Sequence, residues 1–384
     1  MSISLQPLQA IKRDTSLDVL RGFALAGVLF IFCTSDIKSS ANYVNSFWDE
    51  LIAWPKWVLV ENRMYTMLIL IFGFGFGVQL QKAQQIQKSL VPVFLRRLAG
   101  LLIIGSIHAL LLSKRDILIF YAIAGFALLP VRNLTNRQVL IIASVLFVFL
   151  VTPLTRMFLP STWIGIKSLI EPNNYIDHIK FNWEYFIRFH QAYDVYIDMI
   201  FHFLLGFYIS RTRFLKRLKT FSRFRWRATI ISLTIAVITG LLQYAWIETK
   251  AWGIVSQMEM LWQKFSAFTA LFLVWHLMLL SCVCLYASIL ISVSATAKRK
   301  IWFTPLAAFG QMALSNYLIQ SLLLVPYLLW FDKFNNMPSL NGFILFLIVF
   351  AFQLVFSTWW LSYYNFGPFE WLLRSFTYWK WQSC

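Results

Sequence analysis

The chain has 384 residues, of which 59% are hydrophobic and 13% charged, with a mean hydropathy of +0.65. Soluble domains carry roughly 45–50% apolar and about 25% charged residues, so a water-soluble globule is excluded, as are disordered, collagen-like and disulfide-scaffold chains. The net charge of +18 would suggest nucleic acid in a soluble protein, but here it follows the sides of a membrane, and no nucleic-acid partner is expected.

Uncharged apolar runs of about 20 residues recur along the chain, and they lack the alternation of barrel strands. In chain order they predict ten helical spans at 17–35, 64–81, 98–113, 117–131, 139–158, 192–210, 228–247, 267–293, 304–331 and 342–364. The fourth is short and requires bilayer thinning or snorkelling flanks. The expected architecture is an all-α polytopic transmembrane bundle, a single integral membrane domain over residues 1–384.

Orientation follows from Lys and Arg. With the N-terminus inside and Arg21 set aside within a span, 21 basic residues fall on the cytoplasmic side and 12 on the other. Acidic residues show the reverse bias, so both termini are expected to be cytoplasmic. The first 16 residues are mostly polar and the first apolar run is long enough to span, so no cleavable signal is expected. Segments 36–63 and 159–191 are each too short for an independent core. Cys33, Cys282, Cys284 and Cys384 are too few, and too apolar in context, for a disulfide framework. Eight basic residues among apolar ones over Arg211–Arg227 suit a loop lying on anionic lipid, or a surface for the phosphates of a nucleotide-containing substrate. Residues 366–384, opened by Gly367-Pro368, read as an aromatic interfacial segment.

Ionisable residues within spans are costly and need reasons. Asp18 and Arg21 stand three apart on one helical face and can pair; an acid in a first turn also suits the helix dipole. His108 is the sole ionisable residue inside the third span, roughly 16 Å past Arg97 at 1.5 Å per residue. It either bonds a backbone carbonyl or acts as a general base, with Asp116 turning back to fix its tautomer. Asp18, Arg21, His108 and Asp116 are expected around one polar cavity. His190, Asp194, Asp198 and His202 follow at four-residue spacing, a stripe that suits a water-filled vestibule, a proton path or part of a metal site. No further ligands are identifiable, so no metal is expected. Gln311, Ser315, Asn316 and Gln320 form two adjoining polar faces of the ninth span, the pattern of interhelical hydrogen bonding. Gly73 and Gly77 form a small-residue face for close helix contact, and His276 reads as a lone interior histidine.

The arrangement resembles the YeiB-like family of bacterial membrane proteins. The matching stretches are Leu17-Asp18-Val19-Leu20-Arg21-Gly22, Arg63 with Leu70-Ile71-Phe72-Gly73, Arg96-Arg97-Leu98, and His108 with Asp116-Ile117-Leu118. Gly310-Gln311-Met312-Ala313-Leu314-Ser315-Asn316-Tyr317-Leu318-Ile319-Gln320-Ser321 and Gly367-Pro368-Phe369-Glu370-Trp371-Leu372-Leu373-Arg374 complete the series in family order. The family is similar in architecture to membrane acyltransferases, including the lysosomal enzyme that acetylates heparan glucosamine from cytosolic acetyl-CoA. Those enzymes carry their catalytic histidine after the first span, where this chain has none, so the role would fall to His108, oriented by Asp116.

The resemblance therefore implies acyl transfer at or across a bacterial inner membrane. Acyl-CoA would be a cosubstrate rather than a resident cofactor, and a lipid or glycan hydroxyl or amine the acceptor. Asp18, Arg21, Arg63, Asn316 and Gln320 are the substrate-binding candidates. Membrane lipid is the standing partner, and homo-oligomerisation is compatible with the sequence. The alternative is a proton-coupled transporter or flippase using Asp194, Asp198 and His202.

Overall fold

The computed structural model describes residues 15–34, 47–113, 116–152, 175–189, 193–248, 261–294, 297–330 and 339–383. These residues are helical, with no strand among them. The first half comprises α1 (Thr15–Thr34), α2 (Phe47–Pro55) running into a π-helical turn at Lys56–Val60, α3 (Arg63–Gln85) and α4 (Val91–Leu111). It continues with α5 (Leu118–Gly125), α6 (Leu128–Val131), α7 (Asn136–Val151) and α8 (Tyr175–Phe189). The second half comprises α9 (Tyr193–Arg211), α10 (Phe214–Thr220), α11 (Ser222–Glu248) and α12 (Leu261–Ser294). It ends with α13 (Ala297–Gln311), α14 (Ala313–Trp330), α15 (Ser339–Tyr363) and α16 (Pro368–Tyr378).

Among the described residues, six stretches are long and apolar enough to cross a membrane, and α13 with α14 makes a seventh if counted as one broken span. Outward faces are apolar: Ile231, Val237 and Leu241 on α11, and Ile348, Val355 and Trp359 on α15, are exposed. Apolar surface on this scale is that of a protein solvated by lipid, and this is an all-α membrane bundle.

The helices depart from the expected spans where local chemistry dictates. The run at 117–131 divides into α5 and α6, because Phe126, Ala127 and Leu129 bond three residues back and tighten the chain. The helix expected at 139–158 starts earlier, at a capping box between Thr135 and Gln138. It stops at Thr152, extended as suits a residue before Pro153.

The centre is held by α3 against α9. A Cβ at Gly73 would collide with the Phe203 carbonyl, and one at Gly206 with the Leu70 carbonyl. This is the close contact that the Gly73/Gly77 spacing predicts. Around it Phe72 stacks on Phe203 at 4.9 Å, and Phe76 contacts Phe94 and Phe207 at 4.6 and 5.2 Å.

The sharpest departure is the expected 304–331 span, which breaks at Met312 into α13 and α14, bent by 84°. A break inside a bilayer strands backbone groups that no water can satisfy, so protein groups must. Glu370, projecting from α16, accepts from the Leu314 and Ser315 amides at 2.6 and 3.1 Å and from the Ser315 hydroxyl at 2.5 Å. On the other arm Asn316 Nδ2 donates to the Phe309 carbonyl at 3.0 Å, and Arg21 to the Gly310 carbonyl at 3.4 Å. An acid at one helix start and a cation at one helix end also match the two dipoles.

Candidate functional site

His108 lies near the end of α4 with its ring buried. Its Nδ1 is 2.7 Å from Asp116 Oδ2 and its Nε2 is 2.8 Å from Ser321 Oγ. A carboxylate only accepts, so Nδ1 carries the proton, and Nε2 is left to accept from the serine hydroxyl. Asp116 is itself fixed, since its Oδ1 accepts from the Ile119 amide at 2.8 Å and so caps the start of α5. The carboxylate packs against α4 where Gly105 has no side chain; a Cβ there would lie 2.8 Å from Asp116 Oδ1. Tyr317 closes the other side, its ring centroid 5.0 Å from that of His108 and its hydroxyl accepting from the Ile117 amide at 3.2 Å. The product is a buried serine–histidine–aspartate row, with three elements contributing one member each.

Ser321 differs from the helical hydroxyls that bond their own backbone. Thr34, Ser232, Thr239 and Ser292 donate to the carbonyl four residues back, the default for a hydroxyl in an apolar helix. Ser321 instead bonds the imidazole.

The other expected members lie elsewhere. Arg21 bonds Asp18 at 2.9 Å and reaches the Gly310 carbonyl, so this pair sits at the α13–α14 break. Ser321, the partner of His108, is eight residues beyond the start of α14, about 12 Å along its axis. Arg97 lies over the Phe72 ring at 5.1 Å, within electrostatic reach of Arg21, Arg374 and Tyr378.

Arg63 is wholly buried, but its guanidinium donates to the Trp57 and Glu61 carbonyls at 2.8 and 2.7 Å and lies 5.2 Å over Trp275. It closes the π-helical turn and the left-handed residue Asn62, at φ 62°, rather than facing His108. Asn316 and Gln320 face α15: Asn316 donates to Ser357 at 2.8 Å, Gln320 to Gln353 at 3.1 Å, and Gln353 to the Asn316 carbonyl at 2.9 Å. These are the interhelical bonds that polar spans commonly make.

His190 of the expected stripe lies outside the described residues. Asp194 has one buried carboxylate oxygen without a hydrogen-bond partner. Asp198 meets two histidines. His276 Nε2 lies 3.1 Å from its Oδ1, and His202 Nδ1 lies 3.4 Å from that oxygen and 2.8 Å from its backbone carbonyl. His202 Nε2 is buried with no partner. Among the described residues no group of three His, Cys, Asp or Glu side chains is placed to hold a metal ion.

Sequence reasoning named Ser321, Glu370 and His276 without finding their partners. Ser321 meets His108 across 213 residues, and an ordinary serine in an apolar run gives no local sign of it. Glu370 did carry one, as an acid in a first turn just after a helix-starting proline. His276 looked isolated because its partner is 78 positions away.

Residues 209–380 match the family model described as "Protein of unknown function (DUF418)". Over nearly full length the chain is similar to the "Uncharacterized protein YxaH" of Bacillus subtilis, 26% identical over 99% of this chain and 98% of the relative. It is likewise similar to an "Uncharacterized 39.9 kDa protein in amylase 3'region" of Bacillus acidopullulyticus, 26% identical over 97% and 96%. The "Uncharacterized protein YeiB" of Escherichia coli is 24% identical over 95% and 96%. No solved structure matches. The likeness runs over nearly the full length of these relatives, and the chain is similar to the YeiB-like family.

Proposed function

We propose that the protein is a membrane acyltransferase of the bacterial inner membrane, with both termini cytoplasmic, moving an acyl group from cytosolic acyl-CoA to a hydroxyl or amine acceptor. The observation that carries the reading is His108, held between Asp116 and a hydroxyl. Arg21, Arg97 and Arg374, on the basic side, supply charge for the phosphates of the donor. His108 lies eleven residues beyond Arg97, about 16 Å, a distance an extended acyl-carrying arm can cover. Burial favours transfer over loss to water. The test is thiol release from acyl-CoA by the purified protein with a membrane-lipid extract as acceptor. Release that His108→Gln lowers roughly 10²–10⁴-fold is expected, and release indifferent to that substitution sinks the reading.

A second reading, proton-coupled transport, draws on Asp198. His276 Nδ1 donates to the Phe272 carbonyl at 2.8 Å, so its Nε2 contact to Asp198 is a hydrogen bond only with a further proton on that ring or acid. Substrate uptake into vesicles that collapses in Asp198→Asn and survives in His108→Gln would favour it over acyl transfer.

A further inference from the structure

Direct transfer requires the acceptor hydroxyl to lie at His108 Nε2, within about 3 Å of the base. That position is occupied: Ser321 Oγ stands there at 2.8 Å. Resting on the acyl-transfer reading, we propose that Ser321 is the nucleophile, and that the protein works through a covalent acyl-Ser321 intermediate.

Three observations carry this. His108 Nε2 has the serine as its partner, and Nδ1 is tied to Asp116 at 2.7 Å, the relation of base and orienting acid that activates a hydroxyl. Ser321, like Ser315, bonds a side chain rather than the carbonyl four residues back that Thr34, Ser232 and Thr239 use. All three residues are buried, Ser321 at 3% and His108 at 1% exposure, so an ester formed there is kept from water until an acceptor arrives.

The steps balance without any redox partner. Ser321 Oγ attacks the thioester carbonyl as its proton passes to His108 Nε2. The C–S bond breaks, and the thiolate takes that proton and leaves as free thiol. The acceptor hydroxyl or amine then attacks the serine ester and gives its proton to Nε2. The Ser321 C–O bond breaks, and the serine oxygen recovers the proton. Asp116 stabilises the imidazolium in both halves and stays ionised.

The experiment uses the full chain in detergent with an alkyl fluorophosphonate, which phosphonylates an activated serine with loss of fluoride, read by peptide mass spectrometry. One adduct is expected, on Ser321. Ser321→Ala should abolish it, His108→Gln should slow it roughly 10²–10⁴-fold, and Ser232→Ala, which alters a back-bonded hydroxyl, should leave it unchanged. Ser321→Cys keeps a nucleophile, so with acetyl-CoA it should carry a hydroxylamine-labile acetyl group even if the alanine variant folds poorly. No adduct on Ser321, or one formed equally fast without His108, overturns the proposal. Thiol release from acyl-CoA that persists in Ser321→Ala overturns the covalent step alone and leaves acyl transfer by direct attack. A Ser321 adduct without thiol release from any acyl-CoA supports the activated serine and removes acyl-CoA as its donor.

Discussion

Among the described residues, histidine and aspartate meet at two centres inside this bundle, and the two are finished differently. At His108 every polar atom is matched: aspartate on one nitrogen, serine on the other, an amide on the second carboxylate oxygen. The His108 and Asp116 side chains are each 1% exposed. At Asp198 the carboxylate side chain is 34% exposed, His202 Nε2 has no partner, and His276 needs an additional proton to bond the acid. A complete buried network holds one geometry, whereas an incomplete one has capacity to change its protonation. The first suits a base that must be in place before substrate arrives, and the second a group that loads and releases protons.

The comparison breaks most visibly if the wrong centre governs turnover. His108→Gln, monodisperse and folded, should lose acyl transfer roughly 10²–10⁴-fold. Asp116→Asn should fall in the same direction, since the amide favours the wrong tautomer and no longer stabilises the imidazolium. Steady-state rates at matched expression decide this; full activity in both variants would show that the finished network is scaffolding.

A smaller effect sharpens the same point without touching any reacting group. Gly105→Ala places a Cβ 2.8 Å from Asp116 Oδ1 and 3.0 Å from the Ile119 amide that holds it. The carboxylate has to shift, and displacement of an orienting group by about 1 Å can lower the rate by roughly 10². Melting temperature should change little while labelling of Ser321 slows. Unaltered labelling would mean that Asp116 is not what orients the imidazole.

Glu370 tests a different completed network, through stability. It accepts three hydrogen bonds at the α14 start, so Glu370→Ala orphans buried donors at about 1–3 kcal/mol apiece. Glu370→Gln keeps an acceptor for the amides and should recover most of the lost melting temperature. Burial pushes the Glu370 carboxyl above the ordinary carboxylate range, against the hydrogen bonds from Ser315 and Leu314. The fold therefore favours its protonated form: that contribution is full below the ordinary value and declines as pH rises through the raised one. The glutamine variant should flatten this slope in thermal melts, and an unchanged slope would place its origin elsewhere.

What the sequence made legible followed the range of each interaction. Apolar runs announced the helices, the Gly73/Gly77 spacing announced the α3–α9 contact, and the eight-residue separation of His108 and Asp116 allowed their pairing. The pairings of Ser321 and His276 stayed hidden because the partners lie 213 and 78 residues away. The break at Met312 was hidden for another reason. Hydropathy records side chains, whereas the bend depends on which backbone groups find partners, and Gln311, Ser315 and Asn316 read as interhelical contacts until Glu370 and Asn365 stood beside them.

The smallest expected effect is at the unfinished centre. Asp198→Asn removes the acid that His276 and His202 face but keeps an oxygen at hydrogen-bond distance, and it sits on α9, sharing no hydrogen-bond partner with His108, Asp116 or Ser321. Under the acyl-transfer reading, turnover and Ser321 labelling should stay within about twofold of the parent, because the two centres share no hydrogen-bond partner. The substitution should still register locally: the imidazole resonances of His276 in NMR should lose their titration with the acid, while those of His108 remain as they were. If Asp198→Asn abolishes activity and His108→Gln does not, the roles of the two centres are exchanged. The incomplete network then does the chemistry, and the complete one holds the helices around it.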